Sequence, residues 1–324
     1  MHHDITRRGF LAGSAALAAG AVSRRAHASE NPTPGNPIAP TLRIAHVTDT
    51  HIQPERAADQ GVAHALRHLH DHHQGLDLVI TGGDSIMDAF AATRDRTQRQ
   101  WDLWSNALKE HCPTPVASVI GNHDIWGWDK PKSGTLGTEP GWGKKWVCDI
   151  FGREKPYTSR DAKGWHVVLL DSVRVDKDDP NGYEAFLDEE QFEWLDRDLG
   201  KAGPQTPVLI VSHIPILAAC VFAGAKPNDK GDVVTTGGLR HTDFPRLNDL
   251  FRKHKNVKLC LSGHIHLLDR VEYDGVTYIC AGAVSGRWWQ GDHRNTPPGY
   301  STVDLAPDGS FTYRYHPTGW QPRA

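Results

Sequence analysis

Five short segments of the chain concentrate side chains that bind metal ions. The five segments are Asp49-Thr50-His51, Gly82-Gly83-Asp84, Gly121-Asn122-His123-Asp124, Ser212-His213 and Gly263-His264-Ile265-His266. Imidazoles mixed with hard oxygen donors suit Mn, Fe, Zn or Ni ions, and no cysteine belongs to the set. A carboxylate shared between two such ions would make a dinuclear centre that polarises an ester and activates a water molecule. The residue types therefore indicate a two-metal hydrolytic site.

The positions of these segments in the sequence predict that all five lie at one edge of the fold. Each segment follows an apolar, β-branched run that is typical of a buried strand. The runs are 44–47, 78–80, 116–120, 208–211 and 257–261. Loops at the carboxyl ends of strands are where α/β folds place their functional groups. Asp49 and His51 stand two residues apart, which directs both side chains to one face.

The wider pattern predicts one α/β domain over residues 42–324. Strands are expected at 42–48, 77–81, 115–120, 165–170, 207–211, 257–262, 268–273, 276–282, 300–305 and 311–316. Helices are expected at 57–73, 94–111, 188–199 and 241–254, with a short amphipathic segment at 142–151. Pro307-Asp308-Gly309 separates the last two strands and is a hairpin signal. Two packed sheets covered by helices are predicted.

In order and rough spacing, the five segments resemble those of the calcineurin-like metallophosphoesterase superfamily, over residues from about 42 to 283. The resemblance implies an α/β fold, a four-layer αββα sandwich of two mixed β-sheets flanked by helices. It also implies roles for the ligand residues. The first metal ion would be bound by Asp49, His51 and His266. The second would be bound by Asn122, His213 and His264. The carboxylate of Asp84 would bridge the two ions.

His123 occupies the place where the family has an acid that does not bind the metals directly. It would protonate the leaving oxygen, while two cations clamp the phosphoryl group and activate a hydroxide for in-line attack. Protein phosphatases of the family have an aspartate three residues after the bridge to orient this histidine. Here Met87 stands there, which leaves Asp88 or Asp124 for that role. Purple acid phosphatases have a tyrosine ligand at the same place, so Met87 also argues against a tyrosine-ligated ferric site.

The resemblance implies an enzyme that hydrolyses phosphodiester or phosphomonoester bonds of small organic phosphates, with two divalent or mixed-valence metal ions. Cyclic-nucleotide-type phosphodiester hydrolysis is the leading expectation, because compact single-domain relatives with a Gly-Asn-His-Asp segment often perform it. Three further activities stay open: scavenging of exogenous phosphoesters, phospholipid-type phosphodiester hydrolysis, and non-catalytic binding of a metal or ligand. All seven ligand positions are present, which disfavours non-catalytic binding.

Aromatic and basic residues close to the five segments could contact a substrate. The candidates are Trp126, Trp128, His241, Arg287, Trp288 and Trp289. The tryptophans could stack a base or line a lipid or aryl pocket, and the guanidinium could hold a phosphate. Equally, the tryptophans could pack the loops and His241 could merely begin a helix. A row of histidines at i, i+4 and i+8 is more typical of a solvated helix face than of a metal site; it comprises His64, His68 and His72.

Residues 1–28 have the pattern of an export signal. Arg7-Arg8 is followed by a mildly apolar stretch and by an Ala-His-Ala cleavage pattern that ends at Ala28. The arginine pair resembles a twin-arginine (Tat) signal, which implies export of the folded protein by the Tat machinery to the periplasm or beyond. The stretch is too short and too rich in alanine and glycine for stable membrane insertion. Residues 29–41 are rich in proline and are predicted to be a flexible lead-in.

Charge and cysteine content narrow the classes of partner. Removal of residues 1–28 takes away four arginines and one aspartate, which moves the formal net charge from −3 to −6. An acidic chain lacks the basic footprint of a nucleic-acid-binding protein, so small phosphoesters are the expected partners. The five cysteines have no paired spacing and predict no disulfide scaffold. A bond between Cys260 and Cys280, both in predicted strands, is left open.

Overall fold

The computed structural model describes residue 39 and residues 41–179 and 181–322. The predicted Tat signal and nearly all of the predicted lead-in lie outside these residues. The helices are α1 (Ala58–His72), α2 (Arg94–His111), α3 (Lys130–Ser133), α4 (Lys144–Ile150), α5 (Glu189–Ala202) and α6 (Phe244–Lys253). The strands are β1 (Leu42–Val47), β2 (Leu78–Thr81), β3 (Val116–Ser118), β4 (Thr158–Ala162), β5 (Trp165–Leu169), β6 (Val173–Val175), β7 (Tyr183–Ala185), β8 (Val208–Val211), β9 (Val257–Ser262), β10 (Asp269–Tyr273), β11 (Val276–Cys280), β12 (Gly299–Leu305) and β13 (Phe311–Pro317).

The strands form two large mixed sheets and a small ribbon. The first sheet has the order β13-β12-β1-β2-β3, in which β1, β2 and β3 are parallel and β12 and β13 are antiparallel to their neighbours. The second has the order β10-β11-β9-β8-β5-β4, with a parallel centre and an antiparallel strand at each edge. The ribbon pairs β6 with β7. The expected hairpin at residues 307–309 joins β12 to β13.

Alternation along the strands gives each sheet one face toward the other sheet and one toward helices. On β1, Ile44 packs into the cluster between the sheets, while Ala45 joins the cluster that contains α1 and α2. On β5, Val167 lies between the sheets, while Val168 packs with α5 and α6. The layers are thus helix, sheet, sheet and helix, which is the four-layer αββα sandwich expected from the sequence.

Several elements differ from the expectation. The sequence did not mark β4, because this edge strand consists of half-exposed and exposed residues with no apolar alternation. The ribbon strands β6 and β7 have three residues each, which is too short for a periodic pattern. The helix expected at 241–254 begins at Phe244, since Pro245 takes an early helical position and Asp243 precedes the first turn.

The described residues also bear on the membrane and cysteine expectations. Across residue ranges 41–179 and 181–322, no helix combines the length and apolar character that crossing a membrane requires. All five cysteines are free thiols. In the pairing of β9 with β11, Cys260 stands opposite Tyr278 and Cys280 opposite Ser262, so the bond left open between the two cysteines is absent.

Candidate metal centre

The loops after five parallel strands meet where the two sheets face each other. The segments after β1, β2 and β3 come from the first sheet, and those after β8 and β9 come from the second. Backbone hydrogen bonds connect neighbouring loops: Asp49 N–H donates to the Gly83 carbonyl over 3.0 Å, and Gly263 N–H donates to the His213 carbonyl over 3.0 Å. The shared strand direction therefore brings the five polar segments to one place.

The first group of candidate ligands consists of Asp49, His51 and His266, which are all buried. The ligand atoms of the three residues lie within 4.8 Å of one another. Nε2 of His266 is 3.3 Å from Oδ1 of Asp49 and 3.1 Å from Nε2 of His51. Two imidazole nitrogens and a carboxylate oxygen thus converge, which is the donor set of a transition-metal site.

The second group consists of Asp84, His213 and His264. Oδ2 of Asp84 is 3.2 Å from Nε2 of His213, and Oδ1 of Asn122 is 3.2 Å from the same nitrogen. Asp84 also lies 3.6 Å from Nε2 of His51 in the first group. The structure therefore brings all seven ligand candidates together and puts the Asp84 carboxylate between the two groups.

In three of the candidate ligand histidines, one ring nitrogen faces away from the site and donates to a main-chain carbonyl. This arrangement is typical of histidines that bind metal ions. Nδ1 of His213 donates to the Gly82 carbonyl over 2.8 Å, and Nδ1 of His266 donates to the Gly286 carbonyl over 2.6 Å. For His264 the outer atom is Nε2, which donates to the Gly238 carbonyl over 2.9 Å. Holding one ring N–H on a carbonyl fixes the tautomer and leaves the other nitrogen as a lone pair for a metal.

The site contains buried carboxylates whose negative charge bound cations would neutralise. Burial by itself raises the pKa of Asp84, but His213 and other histidines hold that pKa well below its usual range. The same balance, with His266 as partner, lowers the pKa of Asp49. Burial lowers the pKa of His213, but Asp84, Asp49 and the hydrogen bond to Gly82 together raise it to about 9. Two buried, ionised carboxylates are stable only when positive charge neutralises them, and bound metal ions would supply it.

The backbone of the ligand loops is unusual. Five of the seven candidates have left-handed φ angles: Asp49 (56°), His51 (41°), Asp84 (51°), His264 (70°) and His266 (58°). Such conformations cost about 1–3 kcal/mol each in residues other than glycine. They persist because neighbouring loops hold them, as in the 3.0 Å bond from His51 N–H to the Asp84 carbonyl. The coincidence with the ligand positions indicates a site that is organised by the fold itself.

Two positions require glycine because the main chain there passes very close to the carboxylate of a candidate ligand. A Cβ atom on Gly263 would lie 2.2 Å from Oδ2 of Asp49, and one on Gly121 would lie 2.1 Å from Oδ1 of Asp84. No other residue fits at these distances, which explains why glycine precedes His264 and Asn122 in the sequence.

His123 lies beside both groups. Among the described residues, no carboxylate accepts a hydrogen bond from its ring. Its Nδ1 donates to the Met87 carbonyl over 2.5 Å. The Asp124 carboxylate accepts instead from backbone N–H groups of Ser85 and Gly121, over 2.8 and 2.9 Å. The Asp88 carboxylate accepts from the N–H of Ala91 over 2.9 Å. A main-chain carbonyl therefore orients the ring, where the sequence offered a choice between Asp88 and Asp124.

Three of the substrate candidates are buried behind the metal-ligand loops. Trp126 is 3% exposed and donates its Nε1–H to the Ala92 carbonyl. Trp289 is 2% exposed and donates its Nε1–H to the carbonyl of His51, so it supports a ligand loop from behind. His241 is buried between Ser212 and Asp243. These side chains pack and brace loops, which corrects their assignment to substrate contact.

The other three substrate candidates have open faces. The ring of Trp288 lies 4.9 Å from that of His266 and 6.1 Å from that of His51. Arg287 is exposed. Trp128 is half-buried and lines a cavity that also contacts Asn122 and His123. Two further lining residues, Phe90 and Tyr183, were not found from the sequence. Phe90 follows the Asp84 segment closely, but β7 carries no signal that would connect Tyr183 with the site.

Comparison with known families identifies the class of protein. A family model described as calcineurin-like phosphoesterase matches residues 42–268, which is more than half of the chain and includes all seven candidate ligands. The chain therefore belongs to the calcineurin-like phosphoesterase family and is a metal-dependent phosphoric ester hydrolase.

Individual relatives narrow the comparison. A probable cyclic nucleotide phosphodiesterase of Synechococcus sp. is 27% identical over 284 residues, which cover 85% of this chain and 92% of the relative. The 3′,5′-cyclic adenosine monophosphate phosphodiesterase CpdA of Escherichia coli K12 is 25% identical over 296 residues, covering 85% of this chain and 89% of CpdA. A dimetal phosphatase from Danio rerio has a TM-score of 0.59 at 18% identity, covering 86% of this chain and 97% of that one. This last likeness supports the fold alone.

Proposed function

We propose that the chain is an exported dinuclear-metal phosphodiesterase that hydrolyses exogenous cyclic nucleotides. The observation that carries the proposal is the position of Asp84 between two ligand groups, with His123 beside it. The relatives from Synechococcus sp. and E. coli are named for cyclic nucleotide hydrolysis and align over most of their length. Their names support the choice of cyclic nucleotides among the small phosphoesters.

Asp84, Asn122 and the histidine ligands would hold the two ions, with Asp49 completing the first group. When bound, two such ions supply the positive charge that polarises a phosphoryl group and lowers the pKa of a water molecule. The mixture of imidazole, carboxylate and amide donors supports Mn, Fe, Zn or Ni as the ions. The hydrogen bonds of His213 and His266 to main-chain carbonyls leave the other ring nitrogen of each histidine facing the site.

His123 would hold the proton that the leaving oxygen needs. Since its Nδ1 donates to the Met87 carbonyl, Nε2 is the ring nitrogen left to meet a substrate. A protonated Nε2 donates to the departing alkoxide, and this help matters most when the leaving group is an alcohol such as a ribose hydroxyl.

An activity panel tests the proposed substrate. Mature protein is loaded separately with Mn, Fe, Zn and Ni and assayed with 3′,5′-cyclic AMP, a linear nitrophenyl diester, nitrophenyl phosphate and a glycerophospholipid. We expect the highest kcat/KM with the cyclic nucleotide, and loss of activity with a chelator. Efficient turnover of the phospholipid or the monoester, with none of the cyclic nucleotide, would overturn the choice of substrate.

Export through the Tat pathway is the second part of the proposal. It is supported by Arg7-Arg8, the apolar stretch that follows, and the Ala-His-Ala pattern that ends at Ala28. Fractionation of cells that produce an arginine-pair variant tests it.

A further inference from the structure

A cavity of about 840 Å³ opens beside the metal centre, on the side of Asn122 and His123. Its volume is in the range that small-molecule sites occupy. Trp288 instead lies against the first ligand group, near His51 and His266. Because the leaving oxygen must meet its proton donor, the part of the substrate that carries this oxygen lies on the His123 side.

Aromatic rings form a series along this cavity. The ring of Tyr183 is 6.2 Å from that of His264, a candidate ligand of the second group. The ring of Phe90 is 6.0 Å from Tyr183, and that of Trp128 is 6.1 Å from Phe90, both edge to face. The series leads from the metal centre to a half-buried tryptophan, and aromatic faces of this kind stack planar bases.

Charged side chains share the cavity lining with these rings. The cavity lining includes both carboxylates and ammonium groups: Asp88, Asp129, Asp179, Lys130, Lys132 and Lys177. An acyl chain would desolvate these groups and offer no hydrogen bonds in return. A ribose and a heterocyclic base offer donors and acceptors as well as a flat face. The lining therefore favours a nucleoside over a lipid.

We propose that this cavity is a nucleoside subsite in which the base stacks on the ring series, with Phe90 and Trp128 as specificity-determining residues. The inference rests on the proposed function, because it assigns the group that binds beside the same metal centre. It predicts that affinity depends on the base even though the base takes no part in bond cleavage.

Inhibition tests the subsite without depending on the natural substrate. Metal-loaded protein that hydrolyses a nitrophenyl ester is inhibited with adenosine 5′-monophosphate or with ribose 5-phosphate, in which an anomeric hydroxyl replaces the base. We expect the nucleotide to inhibit at least about 10-fold more tightly, and this ratio to fall several-fold in Phe90→Leu and Trp128→Leu. Trp128→Phe keeps a stacking face and should retain most of the ratio. Trp194→Leu is the control, since Trp194 packs on Tyr157 outside the cavity and should leave the ratio unchanged.

Equal inhibition by the two ligands in the unaltered protein would overturn the inference, as would an undiminished ratio in both leucine variants. Trp128→Phe keeps the test valid if a leucine variant does not fold. Tighter inhibition by dodecyl phosphate, lost in the same variants, would assign the cavity to an acyl chain. Failure of the proposed function has a different signature: base-dependent inhibition persists, while 3′,5′-cyclic AMP is not hydrolysed.

Discussion

The backbone N–H of His123 donates to Oδ1 of Asp84 over 2.9 Å. The other oxygen of this carboxylate faces Nε2 of His213. The main chain of His123 therefore orients the carboxylate that lies between the two ligand groups, while its ring is available to a substrate. Removing the ring leaves the main-chain contact in place, so experiment can separate the two roles.

Asp84→Asn should have the largest effect on metal content. The substitution removes a negative charge that faces both ligand groups and that raises the pKa of His213. We expect elemental analysis to find the protein depleted of metal ions and inactive. Asp249→Asn, on the exposed face of α6, is the matched control and should keep both ions. Retention of two tightly held ions in Asp84→Asn would contradict the shared role of its carboxylate.

His123→Ala should keep metal content but slow turnover of esters with alkyl leaving groups by about 10²–10⁴-fold. The loss should be much smaller for a nitrophenyl ester, whose leaving group needs little protonation. The measurement is kcat on both substrates together with metal analysis. An equal loss on the two substrates would show that the ring positions the phosphate instead.

Two carboxylate variants complete this comparison. Because the Met87 carbonyl is the partner of His123 Nδ1, neither Asp88→Asn nor Asp124→Asn should reproduce the leaving-group dependence. Asp124→Asn should lower the thermal midpoint, since an amide nitrogen would face backbone N–H groups that the carboxylate now accepts. Leaving-group dependence in either variant would restore that aspartate as the residue that orients the ring.

Gly61→Ala should destabilise the protein although it raises helix propensity. A Cβ at this position would lie 2.1 Å from Cζ3 of Trp289, whose Nε1–H donates to the carbonyl of His51. We expect a loss of about 1–3 kcal/mol in the free energy of unfolding, and weaker metal binding, since the ring must move.

Gly200→Ala is the control in another helix, where the new Cβ meets only Cε1 of His254 at 3.8 Å. It should stabilise the protein by up to about 1 kcal/mol in urea denaturation. Equal effects of the two substitutions would show that Gly61 has room for a methyl group.

Stability should depend on pH through His166. Hydrogen bonding to Asp198, opposed by burial and assisted by Asp161, holds the pKa of His166 above its usual value of 6.5. The folded state then binds the proton more tightly, so the stabilisation is complete below pH 6.5 and is lost as the pH rises through the folded-state pKa. His166→Gln should therefore lower the free energy of unfolding more at about pH 5.5 than at about pH 9. Urea denaturation at the two pH values measures the free energy of unfolding. An equal loss at both would show that the charge of His166 beside Asp198 does not cause the destabilisation.

Arg7→Lys combined with Arg8→Lys should leave the precursor in the cytoplasm, because the paired guanidinium groups are the feature that the Tat machinery recognises. Fractionation and immunoblotting measure the distribution, and the mature protein should begin at Ser29. Arg24→Lys with Arg25→Lys is the control and should not affect transport. Normal periplasmic accumulation of the first variant would exclude Tat export.

Local pattern was sufficient to predict the strands that carry the ligands. The runs before Asp49, Asp84 and His213 are apolar and β-branched, and each became a buried strand. The short ribbon and β4 escaped prediction, because three residues have no periodicity and an exposed edge strand needs no apolar alternation. Each is defined by pairing with a strand that follows closely in the chain, β4 with β5 and β6 with β7.

The sequence by itself determined the donor types, their order and the strand ends that present them, because these follow from side-chain chemistry and short-range periodicity. Only the tertiary structure decided the partner of His123, the burial of Trp126 and Trp289, and the joining of Phe90 to Tyr183 in one cavity. The physical reason is that a strand has an intrinsic direction and alternation. A loop side chain takes its environment from whichever distant elements pack beside it, and those contacts exist only once both sheets have come together.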